Sequence, residues 1–269
     1  MGIKTFSSLN DEWNNLNLTI LENGLFEGDR SWNYADMVSP FNRLYFIIDG
    51  EAYFSKQEKR WDFKDGYMYL MPAGYRFSCV CTSVIRKFYI HFNLELLPGV
   101  DLFGPLDSFR ALPYPRELLD SILKEAEDDS LSGLLHLKCL FWDIIYRFFQ
   151  ETVDAAGYLN NFKGFYRQQH VLNYLSEHPS ATLRVQDLAD ALNIPCHKLS
   201  RSFRKDTGFG LKEFMEYLLL QKARHLLLHT NLPISQISEH LGFSDPFYFS
   251  RFFKKKEVLS PREYRRQWF

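Results

Sequence analysis

The chain has 269 residues, 46% hydrophobic and 17% aromatic, which excludes a disordered protein and leaves room for about two domains. Its formal net charge of −1 hides an asymmetry. From Arg167 onward 16 Lys and Arg stand against 10 Asp and Glu, about +6, while the remaining 16 against 23 give about −7. No run of 18 apolar residues predicts a membrane span, and the N-terminus lacks the apolar stretch of a signal peptide. The four cysteines, Cys79, Cys81, Cys139 and Cys196, form neither a CxxC pair nor a zinc-spaced cluster with histidine. The expectation is a cytoplasmic protein with free, mostly buried thiols and no metal or cofactor. A basic, polyanion-binding module is joined to an acidic one.

Residues 1 to about 30 carry no clear periodicity and read as a packed arm. From Trp32 to about Phe92 the pattern is β. Leu44–Ile48 and Glu51–Phe54 flank Asp49-Gly50, which predicts a tight hairpin. Trp61–Phe63, Tyr67–Met71, Tyr75–Val80 and Ile85–Phe92 read as further strands, broken at Asp65-Gly66 and Pro72-Ala73-Gly74. Short strands between Gly and Pro turns suggest a small antiparallel barrel or jelly roll. Pro98, Pro105, Pro113 and Pro115 mark a loop-rich connection.

Two helices follow, about 116–127 and 131–152. In the second, Leu134, Leu137, Leu140, Phe141, Ile144, Ile145, Phe148 and Phe149 make an apolar face too wide for one flank of a small barrel. Part of it reads as a homodimer surface, the alternative being a fully intramolecular helix pair. Residues 153–165, with two glycines, read as a linker between domains 1–152 and 166–269. Everything beyond is helical: about 167–177, 185–192, 196–206, 211–229, 234–241, 246–256 and 261–267, with Gly and Pro at the breaks.

The helix at Asp245–Lys256 sets Phe249 and Phe253, with Tyr248 and Phe252, on one side and Phe247, Ser250, Arg251 and Lys254 on the other. Alone, it reads equally as a DNA-reading helix or as an amphipathic helix with a solvated face. It has a twin. Leu199-Ser200-Arg201-Ser202-Phe203-Arg204-Lys205 matches Phe249-Ser250-Arg251-Phe252-Phe253-Lys254-Lys255 at an offset of 50, and Leu188–Leu192 matches Ile237–Leu241 at 49. Packing explains repeated Leu and Phe, but not Ser-Arg recurring on the outward side. Each copy reads as a helix-turn-helix. The intervening helix of about 19 residues is roughly 28 Å long, suited to spacing two reading helices along successive major grooves.

Ile234–Asp245, then Tyr248-Phe249-Ser250-Arg251-Phe252-Phe253-Lys254 and Ser260-Pro261-Arg262-Glu263-Tyr264-Arg265, resemble the signature of the AraC family of bacterial transcription regulators. Leu188-Ala189, Leu199-Ser200-Arg201, Phe203 and Gly208 fit its first unit. The sequence departs at Pro195 (often a Ser cap), at Ser238 (usually a small Ala) and at Val258 (usually Gly). Tyr45–Glu51 and Asp65–Gly74 resemble the family's cupin-like effector domains. The resemblance implies an α+β two-domain fold: an N-terminal antiparallel, cupin-like β-barrel with flanking helices, and a C-terminal all-α double helix-turn-helix. As partners it implies double-stranded promoter DNA, a small-molecule effector and RNA polymerase.

The expected DNA-contacting residues are His197, Ser200, Arg201, Arg204, Phe247, Ser250, Arg251 and Lys254, where Arg and Lys serve bases or phosphates and Phe247 suits a thymine methyl. The expected effector contacts are Arg43, Tyr45, Trp32, Tyr53 and His91. Aromatic faces, hydroxyls and an Arg donor suit a carbohydrate, although His91 reads more readily as a satisfied barrel histidine. A rival reading, a cupin-fold sugar-modifying enzyme with an accessory domain, needs clustered histidines, and residues 30–95 hold only His91.

Overall fold

The computed structural model describes residues 16–128, 130–153, 158–257 and 259–268. They gather into two compact units. One comprises Asn17–Leu94 and Asp101–Asn161, the other Glu95–Val100 with Phe162 onward.

The first unit is built on one eight-stranded sheet. Its strands are β1 (Asn17–Gly28), β2 (Asn33–Val38), β3 (Asn42–Lys56), β4 (Lys59–Asp62), β5 (Tyr67–Met71), β6 (Arg76–Leu97), β7 (Val100–Asp101) and β8 (Arg110–Pro113). The main path runs β1-β6-β3-β5-β8, with β2 and β7 on β6 and β4 on β3. The β2–β6, β3–β4, β3–β5, β3–β6 and β5–β8 pairings are antiparallel. Among the described residues the path does not close on itself, so the expected barrel is realised as an open sheet. The arm expected before residue 30 contains β1, whose weak alternation hid it.

Two expectations about turns fail for one reason. Asp49-Gly50 is not a hairpin turn but lies inside β3, and the segments expected at Tyr75–Val80 and Ile85–Phe92 merge, from Arg76 onward, into the single strand β6. The β3–β6 ladder slips at two places, Ile47/Asp49 and Gly50/Ala52. Gly50 adopts φ +119°, and a Cβ there would collide with the Val84 carbonyl. The Asp-Gly pair therefore supplies a bulge that lets one long strand keep pairing with another. The bulge also changes which residues face inward. Tyr45 and Ile47 belong to the inner core before it, Ala52 and Phe54 after it.

The opposite sheet face carries α1 (Arg116–Ala126) and α2 (Leu131–Thr152). Ile122, Phe141 and Ile144 close over Phe88 and Ile90, and the Phe92 and Phe141 rings meet edge-on at 4.9 Å. Phe141, Ile144, Ile145 and Phe148 are buried, whereas Leu131 (71% exposed), Leu134, Leu135 and Tyr146 stand in solvent. The expected linker contains a 3-10 turn, Tyr158–Phe162, and Tyr158 donates to the Leu102 carbonyl at 2.9 Å. The cysteines, expected to be free and mostly buried, are free; Cys79 and Cys81 are buried, Cys196 is half-buried and Cys139 is exposed.

The second unit is helical: α3 (Lys163–Arg167), α4 (Gln169–Glu177), α5 (Val185–Ala191), α6 (Cys196–Thr207), α7 (Leu211–His229), α8 (Ile234–His240), α9 (Pro246–Glu257) and α10 (Pro261–Trp268). Leu188, Leu199 and Phe203 in the first half, and Ile237, Phe249 and Phe253 in the second, are almost wholly buried. That burial of one helical stripe holds each pair of short helices together.

Candidate nucleic-acid interface and effector site

The α5–α6 and α8–α9 pairs repeat to the level of single hydrogen bonds. The Ile194 N–H donates to Ala189 O and the Phe243 N–H to Ser238 O, both at 3.0 Å. Asn193 (φ +59°) and Gly242 (φ +74°), 49 residues apart, take the same left-handed position in the two turns. Asparagine and glycine are the residues that tolerate it. Each unit is therefore a helix, a tight turn and a second helix of 12 residues.

The second helices present the expected polar set. His197, Arg201 and Arg204 on α6, and Phe247, Arg251 and Lys254 on α9, are exposed, while Ser200 and Ser250 are half-exposed. Phe247 is 79% exposed. Ser250 Oγ donates back to Pro246 O at 2.8 Å. Among the described residues no ion pair engages Arg201, Arg204, Arg251 or Lys254, so their charges are available to a phosphate or a base edge. Lys256 differs, paired with Glu216 at 2.7 Å. Tyr248, expected among the inward residues, is 51% exposed beside the Phe243 ring. It occupies the first turn of α9, beyond the reach of the core that takes Phe249 and Phe253.

Two sequence departures acquire structural content. Pro195 begins α6 without a side-chain acceptor, whereas Asp245 Oδ1 takes the Tyr248 N–H at 2.8 Å at the start of α9. Ser238, at the position of Ala189, is 1% exposed, and among the described residues its hydroxyl has no hydrogen-bond partner. Val258, the third departure, lies outside the described residues.

In the sheet unit, Arg43, Tyr45, His91 and Trp32 come together around the inner core. Arg43 Nη1 donates to the Tyr45 hydroxyl at 2.8 Å and lies 3.1 Å from His91 Nε2, while its Nε donates to Ser39. Because arginine can only donate, His91 Nε2 must accept. The proton then sits on Nδ1, which donates to Glu22 Oε2 at 3.0 Å. Burial pushes the imidazole pKa down to about 3, so His91 is neutral and its contact with Glu22 is a hydrogen bond rather than an ion pair. The His91 bond in turn holds the Glu22 carboxyl below the usual range, and Tyr89 donates to it as well, at 3.0 Å.

Tyr53 does not join this group. Had β3 alternated without interruption, residues 43, 45, 47 and 53 would share a face. The bulge at Gly50 shifts the parity, so Ala52 and Phe54 point inward and the Tyr53 ring lies under the Arg60 guanidinium, 3.8 Å away.

Three residues that the sequence reading did not single out join this cluster: Glu22, Phe26 and Lys87. Lys87 is 4% exposed and its Nζ lies 3.5 Å from the Tyr45 ring centroid, 4.1 Å from that of Trp32 and 5.1 Å from that of Phe26. A signal existed, since Lys87 stands two residues before Tyr89 and four before His91, the spacing that shares one strand face. Among the described residues no cluster of three or more His, Cys, Asp or Glu is placed to hold a metal, and no helix is long and apolar enough to cross a membrane.

Comparison with known proteins agrees with this architecture. A family model described as a helix-turn-helix domain matches residues 188–267. The chain is 22% identical to the Msm operon regulatory protein of Streptococcus mutans serotype c, over 94% of each chain. It is 35% identical to the lactose operon transcription activator of Staphylococcus xylosus, over 36% of this chain and 35% of that one. The ToxT structure from Vibrio cholerae O395 superposes with a TM-score of 0.58 at 14% identity, covering 92% of this chain and 99% of that one, a likeness of fold. The duplicated turn geometry, the signature residues on α8 to α10 and these relatives lead to one conclusion: residues 188–267 form a helix-turn-helix domain similar to those of transcription regulators.

Proposed function

We propose that the protein is a sequence-specific DNA-binding regulator of transcription whose action is controlled by a small molecule, a sugar or related metabolite. The observation that carries the DNA reading is the repetition, on two similarly built helices, of a half-exposed Ser followed by an exposed Arg with no intramolecular ion pair among the described residues. In this reading Arg201 and Arg251 contact bases; His197, Ser200, Arg204, Ser250 and Lys254 contact phosphates or base edges; and Phe247 meets a thymine methyl. Residues 166–269 form the DNA-binding domain, 153–165 the linker, and 1–152 a cupin-like sensing and dimerisation domain. The relatives named for the Msm and lactose operons support a carbohydrate-related effector. Trp32, Arg43, Tyr45 and His91, gathered in the sheet unit, are the residues that would hold it.

The exposed Leu131, Leu134, Leu135 and Tyr146 on α2 support a homodimer formed through that helix. Effector binding in the sheet then biases how a dimer presents its paired reading helices to promoter DNA and RNA polymerase in the cytoplasm.

The test selects a duplex from a random-sequence pool with the full chain and measures its affinity for Arg251→Ala at fixed salt. The expected loss is about 10- to 100-fold, on the order of 1–3 kcal/mol, with relaxed sequence preference. Unchanged affinity would remove α9 as a reading helix. The affinity of the unmodified protein should also fall steeply with salt, through release of counterions.

A further inference from the structure

One cation inside the sheet unit, Lys87, has no counter-charge among the described residues. Arg43 and Lys87 are each 4% exposed. The carboxylate in the Arg43 network is Glu22, whose side chain is 48% exposed, hydrogen-bonds His91 and Tyr89, and feels the Arg43 charge. Lys87 has no hydrogen bond and no ion pair among the described residues; its partners are the faces of Tyr45, Trp32 and Phe26. Ring faces recover only part of what an ammonium loses on leaving water. The other groups facing it are Cys79 and His91 on β6 and Arg43 on β3. His91 is neutral, and burial raises the Cys79 thiol to about 11, so neither supplies a negative charge at neutral pH. Such a buried cation is costly to keep for packing alone, where leucine or methionine would serve.

A surface groove shares two of the rings that enclose Lys87. A groove of about 430 Å³ is lined by Phe26, Glu27, Gly28, Asp29, Ser31, Trp32, Tyr34 and Val84. Phe26 and Trp32, which stand over the Lys87 ammonium, are also walls of this groove. Glu27 and Asp29 are exposed carboxylates and leave the outer groove with no attraction for an anion, so any preference for one must arise at the buried end.

We infer that the effector carries an anionic group, a carboxylate or a phosphate on a hydroxyl-rich body, and that Lys87 together with Arg43 receives it beneath the Trp32 and Tyr45 rings. This rests on the reading of the sheet unit as the sensor and narrows its ligand from a neutral sugar to a sugar acid or sugar phosphate. The Lys87 pKa, lowered by burial to about 7, supports it, because an anion beside the amine would draw in the missing proton.

The experiment titrates the full chain calorimetrically with hexuronates, hexonates and hexose phosphates, each beside its neutral parent sugar, and repeats the series on Lys87→Met. At least one anion should bind about tenfold or more tightly than its parent, and Lys87→Met should erase that preference. For a carboxylate ligand, ionised throughout, affinity should fall by roughly tenfold per pH unit from about pH 7 to 9 as Lys87 loses its proton. The parallel hexose phosphate series tells which anion is the natural one. Lys87→Met puts an apolar chain among apolar rings and should melt higher than the parent protein; if it fails to fold, Lys87→Gln carries the same comparison.

Equal affinity for the neutral parents, or an anion preference that survives both variants, overturns the inference. If neutral sugars bind and Tyr45→Phe weakens them, the sensing site stands and only its charge preference falls. If neither series binds while promoter DNA is still bound, the inference fails and the sensing site fails with it.

Discussion

The first helix-turn-helix starts its reading helix on Pro195 and the second, fifty residues later, on Asp245. Pro195 offers no acceptor, while Asp245 closes the first turn by accepting the Tyr248 N–H. The far ends differ as well. Asp206 ties α6 to Arg167 (Nε 2.9 Å) and Gln168 (Nε2 2.6 Å), with the Arg167 side chain 59% exposed. Glu257 ties α9 to Arg224, with side chains 10% and 13% exposed. One backbone plan is thus fastened in two ways, with a cap and a shielded ion pair in the second copy and an uncapped start with a wet ion pair in the first. An unshared weakness, the unsatisfied Ser238 hydroxyl, lies in the second copy. Repetition preserves the turn, where only certain backbone angles work, and leaves the fastenings free to diverge.

The sharpest way to break this comparison is to cut both ion pairs. Glu257→Ala leaves the Arg224 charge shielded from water and should cost about 3 kcal/mol in urea unfolding. Arg167→Ala removes a partner from a solvated pair and should lower the melting temperature far less. Equal losses would mean that the two fastenings are equivalent.

Next in size is the DNA contact itself. Arg201→Ala should weaken binding to the selected duplex by less than the 1–3 kcal/mol or so expected of Arg251→Ala, because a less firmly fastened helix has paid less of its ordering cost before contact. A greater loss at Arg201 would make the first copy the principal reader.

Ser238→Ala should raise stability by about 1 kcal/mol, by removing a buried hydroxyl that has lost its water without gaining a partner. Ala189→Ser, the reverse change at the matching position, should lower it. No gain at Ser238 would show the hydroxyl to be satisfied.

The smallest effect is expected at Pro195→Ser. A new cap adds about 1 kcal/mol, and the lost stiffness of proline takes back roughly 0.4–1 kcal/mol. The net change should stay within about 0.5 kcal/mol, while the amides in the first turn of α6 exchange more slowly with solvent. Unchanged exchange would show that no cap had formed.

The helical unit was nearly transparent in sequence. Its breaks coincide with Gly and Pro except at Gln168, its apolar residues recur at helical spacing, and its two copies test each other. Helix ends and reading faces are local properties, set within three or four residues. Tyr248 is the exception, because a position near the start of a helix can point inward by spacing and still find no core to enter.

The sheet unit was legible only in part. The strand Tyr67–Met71 was read to the residue, since turns bound it on both sides. Asp49-Gly50 misled because the same dipeptide serves a hairpin turn and a bulge, and its role depends on whether a distant strand, β6, continues alongside. From that one ambiguity follow the missed continuity of β3 and β6 and the wrong side for Tyr53.

The amino-acid sequence alone made legible the helix-turn-helix resemblance, its duplication, the charge division and the outward polar faces of the second helices, because each follows from short-range periodicity or from repetition. Folding in three dimensions added what no spacing expresses: the slipped register that turns Tyr53 away, the proton on His91 Nδ1, and the enclosure of Lys87 by rings from β1, β3 and the β1–β2 connection. A lysine in a strand is written the same way whether it faces water or a core. Its environment is made by residues as distant in the chain as Phe26, and so is its chemistry.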